Sequence, residues 1–308
     1  MVRALLKWFL GTFLFFSVLA CLLILYVSFK DYSHYFRSAR GTRTSVSIQP
    51  YARDALTQKS WLTIHSTGGF NVQAGVLAPL DSSKRYPAVI LLGGKATGKY
   101  AVDYALNINQ LVICALDYPY EPRESYTFWT ILWDVPRVRR ALLEMVPSAI
   151  LAADYLFTRP DVDTTRLVIL GYSFGAPFVP AIAAHDRRAA AAIMVYGGGQ
   201  LTSLIRHNVA RYESAWLSEF VGRVGGALLH PLEPMSYAEK ISPIPLVMIN
   251  GEQDEQIPRN NTELFFNTAR EPKKLVWLKS RHVRPENEEL TRQIIGVLKE
   301  ELKRLKIL

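Results

Sequence analysis

The sequence predicts an α/β fold built on a mostly parallel, eight-stranded sheet. Six short apolar segments rich in branched side chains alternate with helical or loop segments over residues 86–279, which is the pattern of parallel strands joined by helices. Two earlier segments, 61–65 and 70–78, alternate polar and apolar residues and predict an antiparallel hairpin that opens the sheet. A chain of 308 residues is long enough to bury one substantial core.

The remaining elements follow from the same pattern. The six parallel strands are expected at 86–92, 111–117, 166–171, 191–197, 244–250 and 274–279. Residues 200–240 are rich in Leu and contain Trp216 and Phe220, and we expect them to form a helical cap insertion between two strands. Pro285 and Glu286 then begin an amphipathic helix that continues to about Leu305.

Residues 8–27 contain no charged side chain, and they predict an N-terminal transmembrane helix. Twenty helical residues span about 30 Å of hydrocarbon. A cleaved signal peptide, with Arg3 and Lys7 as its basic start, is the alternative, although the apolar run exceeds a usual signal core. We expect an anchor in residues 1–30, a basic linker at 31–60 and a globular domain at 61–308, on a side of the membrane that stays open.

The net charge of +9 is concentrated at the two ends of the chain. Residues 1–60 hold eight Lys or Arg against two Asp or Glu (+6), residues 270–308 hold eleven against six (+5), and residues 61–269 hold seventeen against nineteen (−2). A groove for nucleic acid needs one continuous basic surface, so no nucleic-acid partner is expected. Arg37, Arg40 and Arg43 follow the apolar segment, where they would meet anionic headgroups.

The pentapeptide Gly171-Tyr172-Ser173-Phe174-Gly175 lies between a predicted strand and the start of a helix. A serine between two glycines at such a turn is held in a strained conformation with its Oγ exposed, and the glycines let neighbouring chain pass close by. This pattern predicts that Ser173 is a nucleophile.

A nucleophilic serine needs a base to accept its proton and an acid to fix the tautomer of that base. Asp254 lies in a polar loop just after the apolar strand that ends at Gly251. His282 is the only one of the six histidines that follows it, which gives the chain order serine, acid, histidine. Glu252 and Glu255 flank Asp254 and stay open as alternative acids.

The segment from Asp154 to Ala176 resembles the nucleophile segment of α/β-hydrolases, and it is most similar to the dienelactone-hydrolase-like and prolyl-oligopeptidase-like branch. Residues 251–258 resemble the acid turn of that branch, and His282 falls where its base loop falls. The resemblance covers roughly residues 60–305 and implies the α/β-hydrolase fold. Dienelactone hydrolases use a cysteine nucleophile, whereas this chain has Ser173, so their particular reaction is not implied.

Ester and amide hydrolysis also need backbone N–H groups that point at the developing oxyanion. The family often has His-Gly at the start of the loop that supplies one donor, and this chain has Gly93-Gly94 there. We assign the two oxyanion-hole donors to the backbone N–H groups of Lys95 and Phe174, with a possible shift of one residue for the first.

The same loop offers a rival interpretation. Residues 93–99 satisfy most of the phosphate-binding pattern of nucleotide-binding loops, ending in Gly98-Lys99. Tyr100 stands where Ser or Thr should hold the magnesium ion, so nucleotide binding is the weaker interpretation.

Aromatic residues that follow the second parallel strand predict where substrate binds. Tyr126, Trp129 and Trp133 lie close together in the sequence, and with Gly94 they are expected to line the pocket. We expect a membrane-anchored serine hydrolase that cleaves a carboxylic ester, with an acyl or lipid-like substrate favoured, and that uses no metal or cofactor. A peptidase, an acyltransferase and a non-catalytic scaffold stay open, because sequence does not show the pocket.

Overall fold

The computed structural model describes residues 8, 10–12, 14, 15, 18, 19, 22, 25–27, 30–105, 108–120, 123 and 128–308. Among these residues, no helix is both long enough and apolar enough to cross a membrane. The transmembrane helix predicted at 8–27 lies partly outside the described residues.

A nine-stranded sheet forms the centre of the domain, with strand order β1-β2-β3-β5-β4-β6-β7-β8-β9. The strands are β1 Arg43–Arg53, β2 Thr57–Ser66, β3 Asn71–Pro79, β4 Tyr86–Leu92, β5 Val112–Leu116, β6 Val162–Tyr172, β7 Ala189–Val195, β8 Leu246–Gly251 and β9 Lys273–Leu278. The pairs β1–β2, β2–β3 and β3–β5 are antiparallel, and the other five pairs are parallel. The predicted opening hairpin and the mostly parallel sheet are both confirmed.

The prediction of eight strands is wrong by one, and the additional strand is β1. It lies at the edge of the sheet and pairs with β2. Residues 45–49 alternate polar and apolar side chains, but nearly all side chains of β1 are exposed, so the strand contributes little to the core. Its residues fall in the segment predicted as a basic linker.

Helices cover both faces of the sheet. They are α1 Ser33–Ser38, α2 Phe128–Leu156, α3 Phe178–His185, α4 Leu201–Val209, α5 Ala215–Leu228, α6 Arg259–Thr268 and α7 Glu288–Arg304. Side chains from α2 and α3 pack with one face of the sheet in the larger core, and side chains from α7 pack with the other face in a second core. A short 3₁₀ segment, Gly98–Tyr104, follows β4 and also packs on the second face.

The segment from residue 31 to residue 60 is part of the folded domain. Phe36, on α1, is completely buried in the larger core, with its ring centroid 5.3 Å from that of His185. Because β1 and the start of β2 also lie in this segment, the structure replaces the predicted linker with ordered elements.

Residues 200–240 contain α4, α5 and three 3₁₀ turns between β7 and β8. The two helices pack very closely, since a Cβ added to Gly226 would lie 2.0 Å from the Thr202 hydroxyl. The Glu233 carboxylate accepts hydrogen bonds from the backbone N–H groups of Gln200 and Leu201, at 2.8 and 2.7 Å. It thereby satisfies donors at the start of α4 that would otherwise lack partners.

Candidate active site

Ser173 lies at the tip of a sharp turn between β6 and α3. Its φ is +49°, a region that residues with a side chain rarely adopt. The two flanking glycines are required by close backbone approach. A Cβ on Gly175 would lie 2.1 Å from the carbonyl oxygen of Leu92, and a Cβ on Gly171 would lie 2.5 Å from the carbonyl oxygen of Gly175. The turn therefore holds the Ser173 hydroxyl at the carboxyl edge of the sheet.

The three residues predicted as nucleophile, base and acid lie together. Ser173 Oγ is 2.7 Å from His282 Nε2, and His282 Nδ1 is 2.9 and 2.8 Å from the two carboxylate oxygens of Asp254. Since a carboxylate only accepts hydrogen bonds, Nδ1 carries the ring proton and Nε2 is left to accept the proton of Ser173. The side chains of His282 and Asp254 are only 3% and 1% exposed, so water does not compete for these bonds.

The turn that follows Asp254 fixes its carboxylate. Asp254 Oδ1 accepts hydrogen bonds from the backbone N–H groups of Gln256 and Ile257, at 2.7 and 2.9 Å. Aspartate stabilises turns of this kind by bonding to the backbone two and three residues ahead. The same carboxylate thus closes its own loop and orients the imidazole of His282.

Glu255, one of the alternative acids, holds the backbone of His282, whereas the ring of His282 is hydrogen-bonded to Ser173 and Asp254. Glu255 Oε2 accepts a hydrogen bond from the His282 backbone N–H at 3.1 Å, and Oε1 lies 3.4 Å from both Arg281 and Arg284. Burial raises the pKa of Glu255, but the backbone N–H groups of His282 and Glu255 and the two arginines outweigh it and lower the pKa to about 2. Glu252, the other alternative, is exposed.

Tyr196, which the sequence analysis did not single out, supports the base from the side. It follows β7 directly, is completely buried and has a φ of +55°. Its ring meets that of His282 edge to face, with centroids 5.4 Å apart, and its hydroxyl shares a short hydrogen bond with Ser280. Burial raises the pKa of its phenol. Its position just after a parallel strand is the sequence signal that could have identified it.

The loop after β4 borders the same site. Two carbonyl groups of this loop accept hydrogen bonds. The Gly93 carbonyl accepts one from the Tyr118 hydroxyl at 2.5 Å, and the Gly94 carbonyl accepts one from the backbone N–H of Thr97 at 3.0 Å. Lys95 lines one cavity together with Ser173. The assignment of the oxyanion donors to the backbone N–H groups of Lys95 and Phe174 stays a prediction.

The rival phosphate-binding interpretation receives no support from Lys99. Its ammonium lies 3.0 Å from the Asp117 carboxylate and 3.1 Å from Gln73 Oε1, so its charge is already paired within the fold. Within the described part of the chain, no cluster of three or more His, Cys, Asp or Glu side chains could hold a metal ion.

The part of the chain that carries this site is similar to a known protein family. The model of the prolyl oligopeptidase family matches residues 144–286, a range that contains Ser173, Asp254 and His282. Over this range the chain is similar to the prolyl oligopeptidase family. The chain is also similar to the uncharacterized protein YfhR of Escherichia coli K12, at 29% identity over 119 residues, 38% of each chain. It matches YfhR of Salmonella typhimurium at 29% over 140 residues, 46% of this chain and 47% of the relative. The chain thus spans less than half the length of these curated relatives.

Solved structures share the fold of this α/β hydrolase over most of its length. Acetyl xylan esterase 1 from Thermoanaerobacterium sp. has a TM-score of 0.62 and 14% identity, covering 86% of this chain and 92% of its own. The acetyl xylan esterase from Paenibacillus sp. R4 has a TM-score of 0.63 and 15% identity, covering 87% and 94%. At such identities the likeness shows the fold alone.

A cavity of about 470 Å³ opens beside Ser173 in this α/β hydrolase, a size typical of small-molecule sites. Of the residues predicted to line the pocket, Gly94 does so. Tyr126 and the side chain of Trp129 lie outside the described residues. Trp133 is not among the residues that line the cavity, and it is 75% exposed on α2. The prediction for Trp133 is wrong because its side chain points to solvent and not toward the sheet.

Proposed function

We propose that this α/β hydrolase is a membrane-attached serine esterase that cleaves carboxylic esters through an acyl-enzyme. The observation that carries the proposal is the continuous hydrogen-bonded line from Ser173 through His282 to Asp254, which begins at a strained serine on the wall of a mostly apolar cavity. Strain of this kind costs about 1–3 kcal/mol and persists where it contributes to function.

In the acylation step, Ser173 Oγ attacks the ester carbonyl while His282 Nε2 accepts the hydroxyl proton. Asp254 stabilises the imidazolium that forms, and the bond from Nδ1–H keeps the ring oriented. The backbone N–H groups of Lys95 and Phe174 stabilise the negative charge on the former carbonyl oxygen. When the tetrahedral intermediate collapses, the C–O bond to the alcohol breaks, and His282 donates its proton to the departing oxygen.

In the deacylation step, a water molecule takes the place of the alcohol. His282 removes its proton, the resulting hydroxide attacks the acyl carbon, and the bond to Ser173 Oγ breaks as Oγ regains the proton from His282. The products are the carboxylic acid, the alcohol and the unchanged enzyme, so no cofactor is required. An acyltransferase would use the same residues with a second alcohol in place of water.

Two findings favour an ester over a peptide as the substrate. The cavity beside Ser173 is lined mostly by apolar side chains, which suit an acyl group better than a peptide backbone with its many polar groups. Two of the similar structures carry the name acetyl xylan esterase. A peptidase acting through the same three residues is the second candidate, and the matched prolyl oligopeptidase family supports it.

The test is labelling with a fluorophosphonate probe, followed by turnover of acyl esters and the corresponding amides. We expect labelling of the wild type, no labelling of Ser173→Ala, and a loss on the order of 10⁶ in kcat. Ser82→Ala removes an exposed hydroxyl far along the chain from this site and serves as the matched control. If amides are cleaved as fast as esters, the peptidase is correct. If the wild type neither reacts with the probe nor cleaves either substrate, the non-catalytic scaffold is correct.

Membrane attachment through residues 8–27 is the second part of the proposal. The described large apolar side chains there, such as Trp8 and Leu14, are exposed. The chain then joins the domain beside α5, because Arg139 donates to both the Tyr32 hydroxyl and the Leu228 carbonyl, at 2.7 and 2.8 Å.

A stripe of exposed aromatic side chains on and before α5 supports the same arrangement. Tyr212, Trp216 and Phe220 recur every four residues and are all more than half exposed. Aromatic side chains of this kind favour the membrane interface. We expect the full-length protein to stay with membranes during carbonate extraction and to require detergent. Release by carbonate alone would show that the segment does not span.

A further inference from the structure

The cavity beside Ser173 continues beneath the catalytic edge, along the second face of the sheet. From Ser173 it passes over Tyr172, Leu170 and Val168, three alternate residues of β6 that share one face of the strand. The opposite wall is α7, which contributes Thr291, Ile295, Leu298 and Leu302 together with two lysines toward its end, Lys299 and Lys303. Small residues of the segment after β4, including Ala101 and Ala105, border a third side.

The residues that line the cavity from β6 and from α7 extend over similar distances. The five residue steps from Ser173 back to Val168 cover about 16 Å at roughly 3.3 Å per residue of strand. The eleven steps from Thr291 to Leu302 cover about 16 Å at roughly 1.5 Å per residue of helix. The two walls run in opposite directions, since the end of the chain after α7 returns to the start of β6, where Arg166 donates to the Ile307 carbonyl at 3.0 Å. Thr291 is therefore at the catalytic end and Leu302 at the far end.

The cavity accounts for an unusual exposure in the middle of the sheet. Leu170 lies in β6, which has strands on both sides, yet its side chain is only partly buried. Its neighbours in sequence on the opposite face of β6 belong to the larger core, where Ile169 is completely buried. The second face thus has a mostly apolar space between the sheet and α7, within the second core.

We propose that this space is an acyl channel that binds the straight chain of a medium- to long-chain fatty acyl ester. The proposal rests on the serine esterase activity proposed above and names its substrate class. With the ester carbonyl at Ser173, the channel extends about 16 Å from the reacting carbon. An extended hydrocarbon advances ~1.3 Å per bond, given carbon–carbon bonds of about 1.5 Å, so roughly a dozen carbons fit. The alcohol portion of the ester lies on the other side of Ser173, toward the cap.

The experiment measures kcat/KM for p-nitrophenyl esters from acetyl to hexadecanoyl. We expect the wild-type rate to rise by up to about fourfold per methylene, the equivalent of the ~0.8 kcal/mol for burying one CH₂, and to level off near dodecanoyl. Leu298→Trp places a large side chain about two thirds of the way along the channel, roughly 10 Å from its catalytic end, and should lower the ratio of dodecanoyl to butyryl rates at least tenfold. Gln293→Trp adds the same side chain on the exposed side of α7 and is the matched control.

A second variant and a second measurement keep the test independent of folding and of turnover. Ala101→Leu narrows the channel from its third side and should also lower the ratio of dodecanoyl to butyryl rates. Binding of dodecanoate to the Ser173→Ala protein, measured by calorimetry, should be lost when Leu298→Trp is added and kept when Gln293→Trp is added.

The outcomes separate this proposal from the one it rests on. A wild type that prefers acetyl or butyryl esters, with the two channel variants leaving the ratio unchanged, would overturn the acyl channel and leave the esterase standing. Failure of Ser173 to react with the fluorophosphonate would overturn the esterase. Dodecanoate binding that Leu298→Trp abolishes would support the channel even then.

Discussion

Glu255 provides the sharpest test of how the base is held in place. Its carboxylate accepts the backbone N–H of His282 and lies near Arg281 and Arg284. Glu255→Gln keeps the shape of the side chain and an oxygen that can accept a hydrogen bond, but removes the charge. The substitution therefore removes the electrostatic part of this interaction and leaves the packing intact.

The expected loss of stability in Glu255→Gln follows from the pKa of Glu255, which falls from its ordinary value of 4.5 to about 2 in the folded protein. Each pKa unit corresponds to about 1.4 kcal/mol, so the folded state gains at most about 3 kcal/mol at neutral pH. The side chain is 19% exposed, and solvent screening reduces this gain. Glu255→Gln should thus lower the free energy of unfolding by about 1–3 kcal/mol at pH 7.

The pH dependence has a definite sign. Because the folded state lowers the pKa of Glu255, the stabilisation is complete above the unfolded pKa and is lost as the pH falls through about 2. The difference in unfolding free energy between wild type and Glu255→Gln should shrink by roughly 1–2 kcal/mol between pH 7 and pH 3.

Urea denaturation of both proteins at several pH values, followed by circular dichroism, measures this difference. Glu252→Gln is the matched control, since Glu252 is exposed, and its difference from the wild type should be small at every pH. A difference for Glu255→Gln that stays constant with pH would refute the electrostatic account. A loss of turnover on the order of 10⁴ for Glu255→Gln would instead make Glu255 the acid of the triad.

Three further predictions test the acid, the nucleophile turn and the N-terminal segment. Asp254→Asn should keep the unfolding transition of the wild type and lower kcat by a factor on the order of 10⁴, measured with an activated ester, because the amide favours the wrong tautomer of the base. Gly175→Ala should destabilise the domain by several kcal/mol in urea denaturation, since its Cβ would lie 2.1 Å from the Leu92 carbonyl. Gly296→Ala is the control for this substitution: its added Cβ would meet nothing within 4 Å, and it should raise the free energy of unfolding by up to about 1 kcal/mol. Phe36→Ala should lower the free energy of unfolding by about 3–5 kcal/mol, because Phe36 is fully buried. A decrease below about 1 kcal/mol would show that α1 is not part of the core.

Sequence periodicity was enough to predict the parallel sheet. Strands buried on both faces have continuous apolar sequences, which is why β4 and β8 are found within a few residues of their predicted bounds. The edge strand β1 was missed because its side chains are exposed and its backbone pairs with β2 in a register that local pattern does not reveal. Residues 31–60 were predicted to be a linker because Arg and Lys exceed Asp and Glu there, yet Phe36 packs in the larger core.

The sequence by itself determined which residues do the chemistry that we propose, because each carries a local signature. Ser173 has its glycines, Asp254 follows an apolar strand, and His282 is the only histidine downstream of it. Such signatures work because parallel strands bring their carboxyl ends to one edge, whatever their separation along the chain.

The tertiary structure alone decided where the substrate could bind. The predicted aromatic lining failed at Trp133, which faces solvent, and the cavity lies instead between β6 and α7, whose residues are more than a hundred positions apart. The sequence pattern predicts that Leu170 and Leu298 are both ordinary core residues. Only the distance between a strand and a helix determines whether such side chains touch each other or border a cavity, and that distance is set by packing across the whole domain.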